Sequence, residues 1–397
     1  MRTSVAPGAW LRLTALAACA ATLVAVVSGA LALGTAHRLL SALVLPPLAA
    51  LAVAAALRHR RLAAPVGTAI ALFGIAAVAT HEGVHLAAAG AAFAATLVVA
   101  VQTFRGERVP AGAWRDYVTL TKPRIMSLLL VTGLGGMFVG AGGAPSLGLV
   151  AATMAGLALA CGGASALNHV LDEDIDRLMG KRTDRRPVAA GRIAAPRALE
   201  FGLALSAFSF VLLASLVNVL AAVLALAGNL FYVLVYTRWL KRSTPQNIVI
   251  GGAAGAVPPL VGYAAATGDL TLAALFLFGL VFLWTPPHFW ALALLIRRDY
   301  EAAGVPMLPV VRGERETTRQ IVLYSLVLVA FSLLPLAWGE PGPAYLVAAA
   351  LLGAGFLELA RRLRRDATPR RAALLFHYSL LYLALLFAAM ALDAVIA

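Results

Sequence analysis

The chain makes little use of cysteine, carboxylates or charge in general. Its two cysteines, Cys19 and Cys161, each lie inside an apolar run, so neither a disulfide framework nor a thiolate metal site is indicated. Charged residues are 13% of the 397 positions and hydrophobic ones 61%, with a mean hydropathy of +0.88. That leaves too few polar groups to cover a soluble surface. Acidic residues are the scarcer sign, 18 against 32 Lys and Arg. A pI near 10.6 raises nucleic acid as a partner, but the basic residues alternate with apolar spans and form no single patch, so nucleic acid is set aside. No internal repeat or low-complexity segment appears beyond an Ala/Leu bias.

What the chain does have is a succession of apolar runs of membrane-spanning length. They fall near 10–34, 38–57, 62–80, 84–104, 122–141, 146–170, 195–217, 219–238, 247–267, 271–293, 320–337, 343–360 and 373–396. The expected fold is an all-α polytopic membrane protein of about thirteen helices. The stretch 10–34 lacks a convincing cleavage site and reads as the first helix, not a signal peptide. With the N-terminus inside, the inner connections are 58–61, 105–121, 171–194, 238–246, 294–319 and 361–372. Only Arg38 of all the basic residues then lies outside, and the positive-inside rule selects this orientation. The expected location is the cell's inner (plasma) membrane, with a cytoplasmic N-terminus. The polar break 105–121 divides a four-helix region, 1–104, from a nine-helix region, 122–397. Gly133, Gly135, Gly136, Gly251 and Gly252 read as close helix packing.

The scarce carboxylates are not scattered. Asn168, Asp172 and Asp176 stand at i, i+4 and i+8 directly after an apolar run, which on a helix gives one ladder of oxygens. Carboxylates at membrane depth are costly and usually functional. Hard oxygens suit Mg²⁺ shared with substrate phosphates, and Lys181-Arg182 and Arg185-Arg186 follow to hold an anion. A lone DxxxD is as readily a solvated loop; the preceding Asn and the following arginines favour a site acting on a lipid diphosphate.

Two further segments belong on the same side. One is a loop carrying Trp284-Thr-Pro286-Pro287-His288-Phe-Trp290, then Arg297, Arg298, Asp299, Tyr300 and Glu301. Asp299 is a candidate ligand for a second divalent ion. The other runs from Tyr236-Thr-Arg238 through Lys241-Arg242 to Thr244-Pro245-Gln246-Asn247. Each alone reads equally as an anchored turn.

Together these segments resemble the prenyltransferases of the UbiA superfamily, and within it the protoheme IX farnesyltransferases (heme O synthases). The resemblance covers roughly 115–397. It rests on Leu120-Thr-Lys122-Pro-Arg124, the NxxxDxxxD ladder, the YTRWLKRSTPQNIVIGGAAGAVPP segment, and TPPHFWALA followed by DYEAAGVPMLPVV. The ladder marks only the superfamily; the TPQN and PMLPVV segments are specific to the heme branch. Two departures stand out. Gly180-Lys181 precede Arg182-Thr183 where the family has one residue, and position 303 is Ala, so the second motif has no DxxxD form.

The resemblance implies Mg²⁺ on Asn168, Asp172 and Asp176, with another near Asp299, and farnesyl diphosphate and heme b as substrates. Lys122, Arg124 and Arg182 become partners for diphosphate or for heme propionates, and Arg186, Lys241, Arg298 and Tyr300 further substrate contacts. His288 either sits near the porphyrin or is a hydrogen-bonding residue at a helix end. The implied reaction adds the farnesyl group and a water to a heme vinyl.

Residues 1–104 are similar to one four-helix half of the heme A synthases, through AHRLL, VHLAAA, Val27-Ser-Gly29 and the helix count. Here His37 and His85 are implied axial ligands of a heme b, the alternative being interfacial histidines that bind nothing, a reading that weighs more for His81. The substrate-site acid expected near the outer end of the first helix is absent, so the role implied is structural, docking or heme delivery, with heme A synthase or cytochrome oxidase assembly factors as partners. Two other readings remain. One is a quinone- or chlorophyll-pathway prenyltransferase; the other is a cation-coupled transporter with Asp172, Asp176 and Asp299 lining an ion path.

Overall fold

A run of apolar residues in lipid must bond its own backbone, and the helix does so within one segment. The computed structural model describes residues 9–30, 35–57, 59, 62–78, 82–104, 112–180, 183–338 and 342–396, and among them every regular element is helical. Ten helices are long and apolar enough to cross a membrane, from Ala9–Gly29 to Pro369–Ile396; shorter apolar helices cover Leu40–Ala55, Ala63–Ala77 and Ala88–Thr103. Each apolar run read from the sequence coincides with one of these segments. The protein is a multi-pass integral membrane protein.

Small residues set how closely the helices approach. Helix Pro123–Ala141 crosses helix Val257–Thr267 backbone to backbone: a Cβ on Gly262 would fall on the Gly133 carbonyl, and one on Gly136 on the Pro259 carbonyl. Helix Leu147–Leu171, which carries Asn168, packs on helix Ala195–Leu216 in the same way, with Gly163 against Ser206 and Gly202. Gly251 and Gly252 lie against Tyr236 and Thr285. With no hydrophobic gain between helices in lipid, such close approach is what holds them together.

The helices described between residues 9 and 104 pack on the rest. Helix Glu82–Phe104 runs along Ala195–Leu216, with Val211 seated on Gly90. Val26, Phe93, Ala207 and Val211 share one buried cluster across this contact. Gln102 donates to Glu200 at 3.3 Å, and Arg197 to the same carboxylate oxygen at 3.2 Å.

Two polar stretches differ locally from the sequence-based expectation. The segment Trp284–Trp290, expected as a loop, lies inside helix Leu272–Leu295, with Pro286 and Pro287 within it. The missing N–H groups leave the Phe282 and Leu283 carbonyls without their intrahelical donors, and Thr285 Oγ1 donates one residue earlier, to the Val281 carbonyl at 2.8 Å. Helix Val219–Leu230 continues into a π-helical stretch, Phe231–Leu240, a widened turn that re-aims the side chains beyond it.

Gly262→Leu should therefore separate two helices whose backbones touch, at about 1–3 kcal/mol of overpacking. The expected result is a drop of several degrees in the apparent Tm of the detergent-purified protein. Gly255→Ala, which meets nothing within 4 Å, should leave Tm unchanged.

Candidate active site

Helix Leu147–Leu171 ends at its C-cap, Asp172, and the chain restarts as the short helix Glu173–Leu178. The i, i+4 backbone bonds nevertheless run through the bend, Asp172 N–H to Asn168 O at 2.9 Å and Asp176 N–H to Asp172 O at 2.7 Å. The expected ladder is thus kept on one face. Its three side chains are buried, with relative exposures of 3%, 0% and 1% for Asn168, Asp172 and Asp176.

Carboxylates buried this deeply require partners. Lys241, 7% exposed, reaches Asp172 Oδ2 at 2.5 Å, and Arg186 reaches Asp176 Oδ1 at 2.6 Å. Asn168 Nδ2 donates to Asp172 Oδ2 at 2.7 Å and to Thr237 Oγ1 at 3.1 Å. The Asn168 oxygen accepts from Lys122 Nζ at 2.8 Å. Thr183 Oγ1 ties the Asp176 carbonyl at 2.7 Å. Arg242 grips both oxygens of Asp174, at 2.7 and 2.6 Å, and the Leu171 carbonyl. Lys122 and Lys241 are two of the chain's three lysines.

The cations do not satisfy the acids completely. Asp172 Oδ1 and Asp176 Oδ2 are buried with no hydrogen-bond partner. Burial raises the Asp176 pKa and the Asp172 charge adds to this, while Arg186 opposes it. Burial also pushes Lys122 down to about 7; Arg186 lowers it further, against the pull of Asp172 and Asp176. Asp174 goes the other way, held at about 2 by its Arg242 hydrogen bonds. Lys122 is, in addition, the one non-glycine described residue at positive φ, 48°. Such strain costs about 1–3 kcal/mol and survives where surroundings fix it. Here its carbonyl caps helix Pro123–Ala141, accepting from Ile125 and Met126, while its Nζ holds Asn168.

Magnesium fits this donor set. Among the described residues no three His, Cys, Asp or Glu side chains gather into a metal cage. Two open carboxylate oxygens remain, and Mg²⁺ is typically held by one or two carboxylates plus substrate phosphates.

Asp299 lies half-buried in the first turn of helix Arg297–Ala302. Beside it Tyr300 is 5% exposed. Burial raises the Tyr300 pKa; Arg186 lowers it, and Asp172, Asp176 and Asp299 all raise it. Both acidic segments therefore act on the Tyr300 hydroxyl. Arg124, Arg185, Arg298 and Glu301 are exposed, and Lys181, Arg182 and His81 lie outside the described residues.

His288 is not at a helix end but within Leu272–Leu295. Ser379 Oγ donates to the Phe376 carbonyl at 2.7 Å, so at 2.6 Å from His288 Nδ1 it accepts the ring N–H. The ring stacks between Trp284 and Phe376, with centroids 4.1 and 4.8 Å away. Three residues of the site escaped the sequence reading: Thr237, Thr183 and His169. His169 is 1% exposed with both ring nitrogens unpartnered. Hydroxyls that brace a neighbour leave no charge pattern to read, and the π-helical turn hides the register of Thr237.

Replacing Lys241 by Met leaves Asp172 buried without its cation, at about 3–5 kcal/mol. A marked fall in Tm is expected, with much of it recovered in Lys241→Met/Asp172→Asn. Equal Tm in the single and double variants would show that the pair is not coupled.

Residues 129–388 match the UbiA prenyltransferase family. A protoheme IX farnesyltransferase of Symbiobacterium thermophilum is 57% identical over 281 residues, covering 70% of this chain and 94% of that protein. One from Roseiflexus sp. is 55% identical over 282 residues, or 71% of this chain and 53% of its own length. The chain thus spans about half the length of the Roseiflexus relative. Among solved structures, a digeranylgeranylglyceryl phosphate synthase superposes with a TM-score of 0.60 at 18% identity, covering 71% of this chain and 99% of that one. A UbiA homolog from Archaeoglobus fulgidus bound to DMAPP and Mg²⁺ gives 0.50 at 17% identity, with 69% and 99% covered. The fold is shared with these structures, and the sequence matches go further: the chain belongs to the UbiA prenyltransferase family, within the group whose curated members are named protoheme IX farnesyltransferase.

Proposed function

We propose that the chain transfers the farnesyl group of farnesyl diphosphate to a vinyl group of heme b, with addition of water, giving heme O and diphosphate. Heme O is the precursor of heme A for cytochrome oxidase. The observation that carries this reading is the pair of buried, unpartnered carboxylate oxygens on Asp172 and Asp176, set among Lys122, Arg186 and Lys241. The names of the close relatives supply the acceptor.

The bond that breaks joins farnesyl C1 to a diphosphate oxygen, and the electron pair leaves with the diphosphate. Lys122, Arg186 and Lys241 stabilise the charge that develops there. Asp172 and Asp176 would hold Mg²⁺, with Asn168 orienting Asp172; the ion supplies Lewis-acid neutralisation of the leaving group. A second ion would lie near Asp299. The vinyl terminal carbon bonds to C1, leaving a cation on the carbon next to the porphyrin. Water adds there and loses a proton. Buried Tyr300 helps keep other water from the farnesyl cation. Arg124, Arg182 and Arg298 are further contacts for the anionic parts of the two substrates, and His288 is a contact for the porphyrin.

By the distribution of basic residues, the acidic end faces the cytoplasm, as does the N-terminus, and the membrane is the plasma membrane. In cells lacking their own heme O synthase, this chain should yield a heme heavier by one farnesyl and one water. Asp172→Asn should reduce its formation by about 10²–10³. An unmodified heme, a prenylated aromatic acid or undiminished product from Asp172→Asn would each contradict the reading.

The four-helix region supports a second, separate reading. His37 and His85 face each other with ring centroids 5.8 Å apart and planes at 81°. His37 Nδ1 pairs with Ser28 Oγ at 3.0 Å, and His85 Nδ1 with the Ala76 carbonyl at 2.6 Å. Ligating histidines are typically fixed through their second nitrogen in this way. His37 and His85 are the side chains that would hold a heme iron, each supplying an imidazole nitrogen. Gly29 leaves room for the His37 ring. A heme b held there would serve structure, docking or delivery toward heme A synthase or an oxidase assembly factor. The purified protein should then show bis-histidine absorption bands, lost in His37→Ala/His85→Ala. Bands surviving that variant would end the idea.

A further inference from the structure

Three of the segments that carry the family resemblance meet at one cavity. Gln246 of the TPQN segment, Trp290 of TPPHFW and Leu308 of PMLPVV line one cavity of about 260 Å³, together with Arg312, Gln320 and Tyr324. Arg312 sits at the N-cap of the 20-residue helix Gly313–Ser332. Positions 312, 316, 320 and 324 are spaced by four and so share one face of that helix.

The lining has a defined chemistry. Trp290 is 2% exposed, and its indole N–H is buried without a partner. Its ring meets Tyr324 edge-on, with centroids 5.3 Å apart. Arg312 adds a positive charge, and the N-terminal end of a long helix favours an anion. Glu316 also lines the cavity; its carboxylate accepts from Gln320 at 2.7 Å and pairs with Arg319 at 3.4 Å. Leu308, Trp290 and Tyr324 form the apolar wall. Arg312 is exposed and also acts on the Glu316 carboxylate, so one shared guanidinium, an indole N–H and an apolar wall suit at most a single carboxylate on a short alkyl arm, not a diphosphate. The volume falls below the roughly 300–1,000 Å³ typical of whole-ligand pockets, so an arm fits where a macrocycle does not.

Place supports the same ligand. The cavity is reached by the two connections that leave the acidic site. Gln246 follows Lys241 by five residues. Leu308 follows Tyr300 through a loop pinned by Val305 N–H to Tyr300 O at 2.9 Å and Met307 N–H to Val305 O at 2.8 Å.

We propose that this cavity receives a carboxylate arm of the acceptor, with Arg312 and the Trp290 indole N–H recognising it. On the heme b reading of the acceptor, on which this inference rests, the arm is a porphyrin propionate. The cavity would then fix which part of the acceptor points at the farnesyl cation.

The test measures KM for heme b and for farnesyl diphosphate separately, using heme b and its propionate dimethyl ester. Arg312→Gln should raise KM for heme b about tenfold, the scale of one charge-assisted contact, and leave KM for farnesyl diphosphate unchanged. Trp290→Phe should raise KM for heme b to a smaller extent. Arg312→Lys should restore most of the affinity. With the dimethyl ester, wild type and Arg312→Gln should agree within about twofold, because the contact is already absent. A tenfold loss on the ester as well as on the acid, or equal changes in both KM values, would overturn the assignment. So would an unchanged KM for heme b in Arg312→Gln. A wild-type protein that farnesylates neither heme would instead remove the acceptor reading, and this inference with it.

Discussion

Two carboxylates are buried where water cannot reach them, and the surrounding architecture answers that constraint. Asp172 and Asp176 are held by Lys241 and Arg186, braced by Asn168 and Thr183, and each keeps one oxygen without a partner. Replacing such groups by apolar ones is often neutral or stabilising, so stability is a poor reason for their presence. A divalent ion shared with a diphosphate is a better one. It needs the open oxygens, and the adjacent cations match the charge that appears when the substrate ionises. The strain at Lys122 and its lowered pKa fit the same account, since both are features of a site arranged for a ligand.

Helix packing delivers these groups. Gly163 brings the Asn168 helix against Ala195–Leu216, and the π-helical stretch Phe231–Leu240 carries Thr237 and Lys241 onto Asn168 and Asp172. The four-helix region rests on the far side of that support, through Gly90, Val211 and the Gln102–Glu200–Arg197 contact. Among the described residues, the main contact from there toward the acids is with helix Ala195–Leu216.

How much of this was legible depends on which features leave a pattern. Apolar runs and four-residue spacing are direct consequences of helix geometry, so the segments and the Asn168–Asp172–Asp176 face could be read from the sequence. Glycines at helix crossings could be read for the same reason. The bend at Asp172 could not, because nothing in Asp-Glu-Asp announces that a helix stops and resumes in register. The π-helical turn shifts Thr237 and Lys241 away from where a regular helix would put them, so Lys241 looked like an anchored turn. Pro286 and Pro287 signalled a loop, yet a membrane helix absorbs them. Which partner Arg186 takes depends on a connection whose length differs from the family pattern at Gly180-Lys181.

The most direct measurement of the central claim is the affinity of an inert farnesyl diphosphate analogue with and without Mg²⁺. Calorimetry on the wild-type chain should show at least about a hundredfold weaker binding once the ion is chelated, and Asp172→Asn/Asp176→Asn should bind equally weakly in both conditions. Wild-type affinity that is indifferent to the chelator would contradict the account.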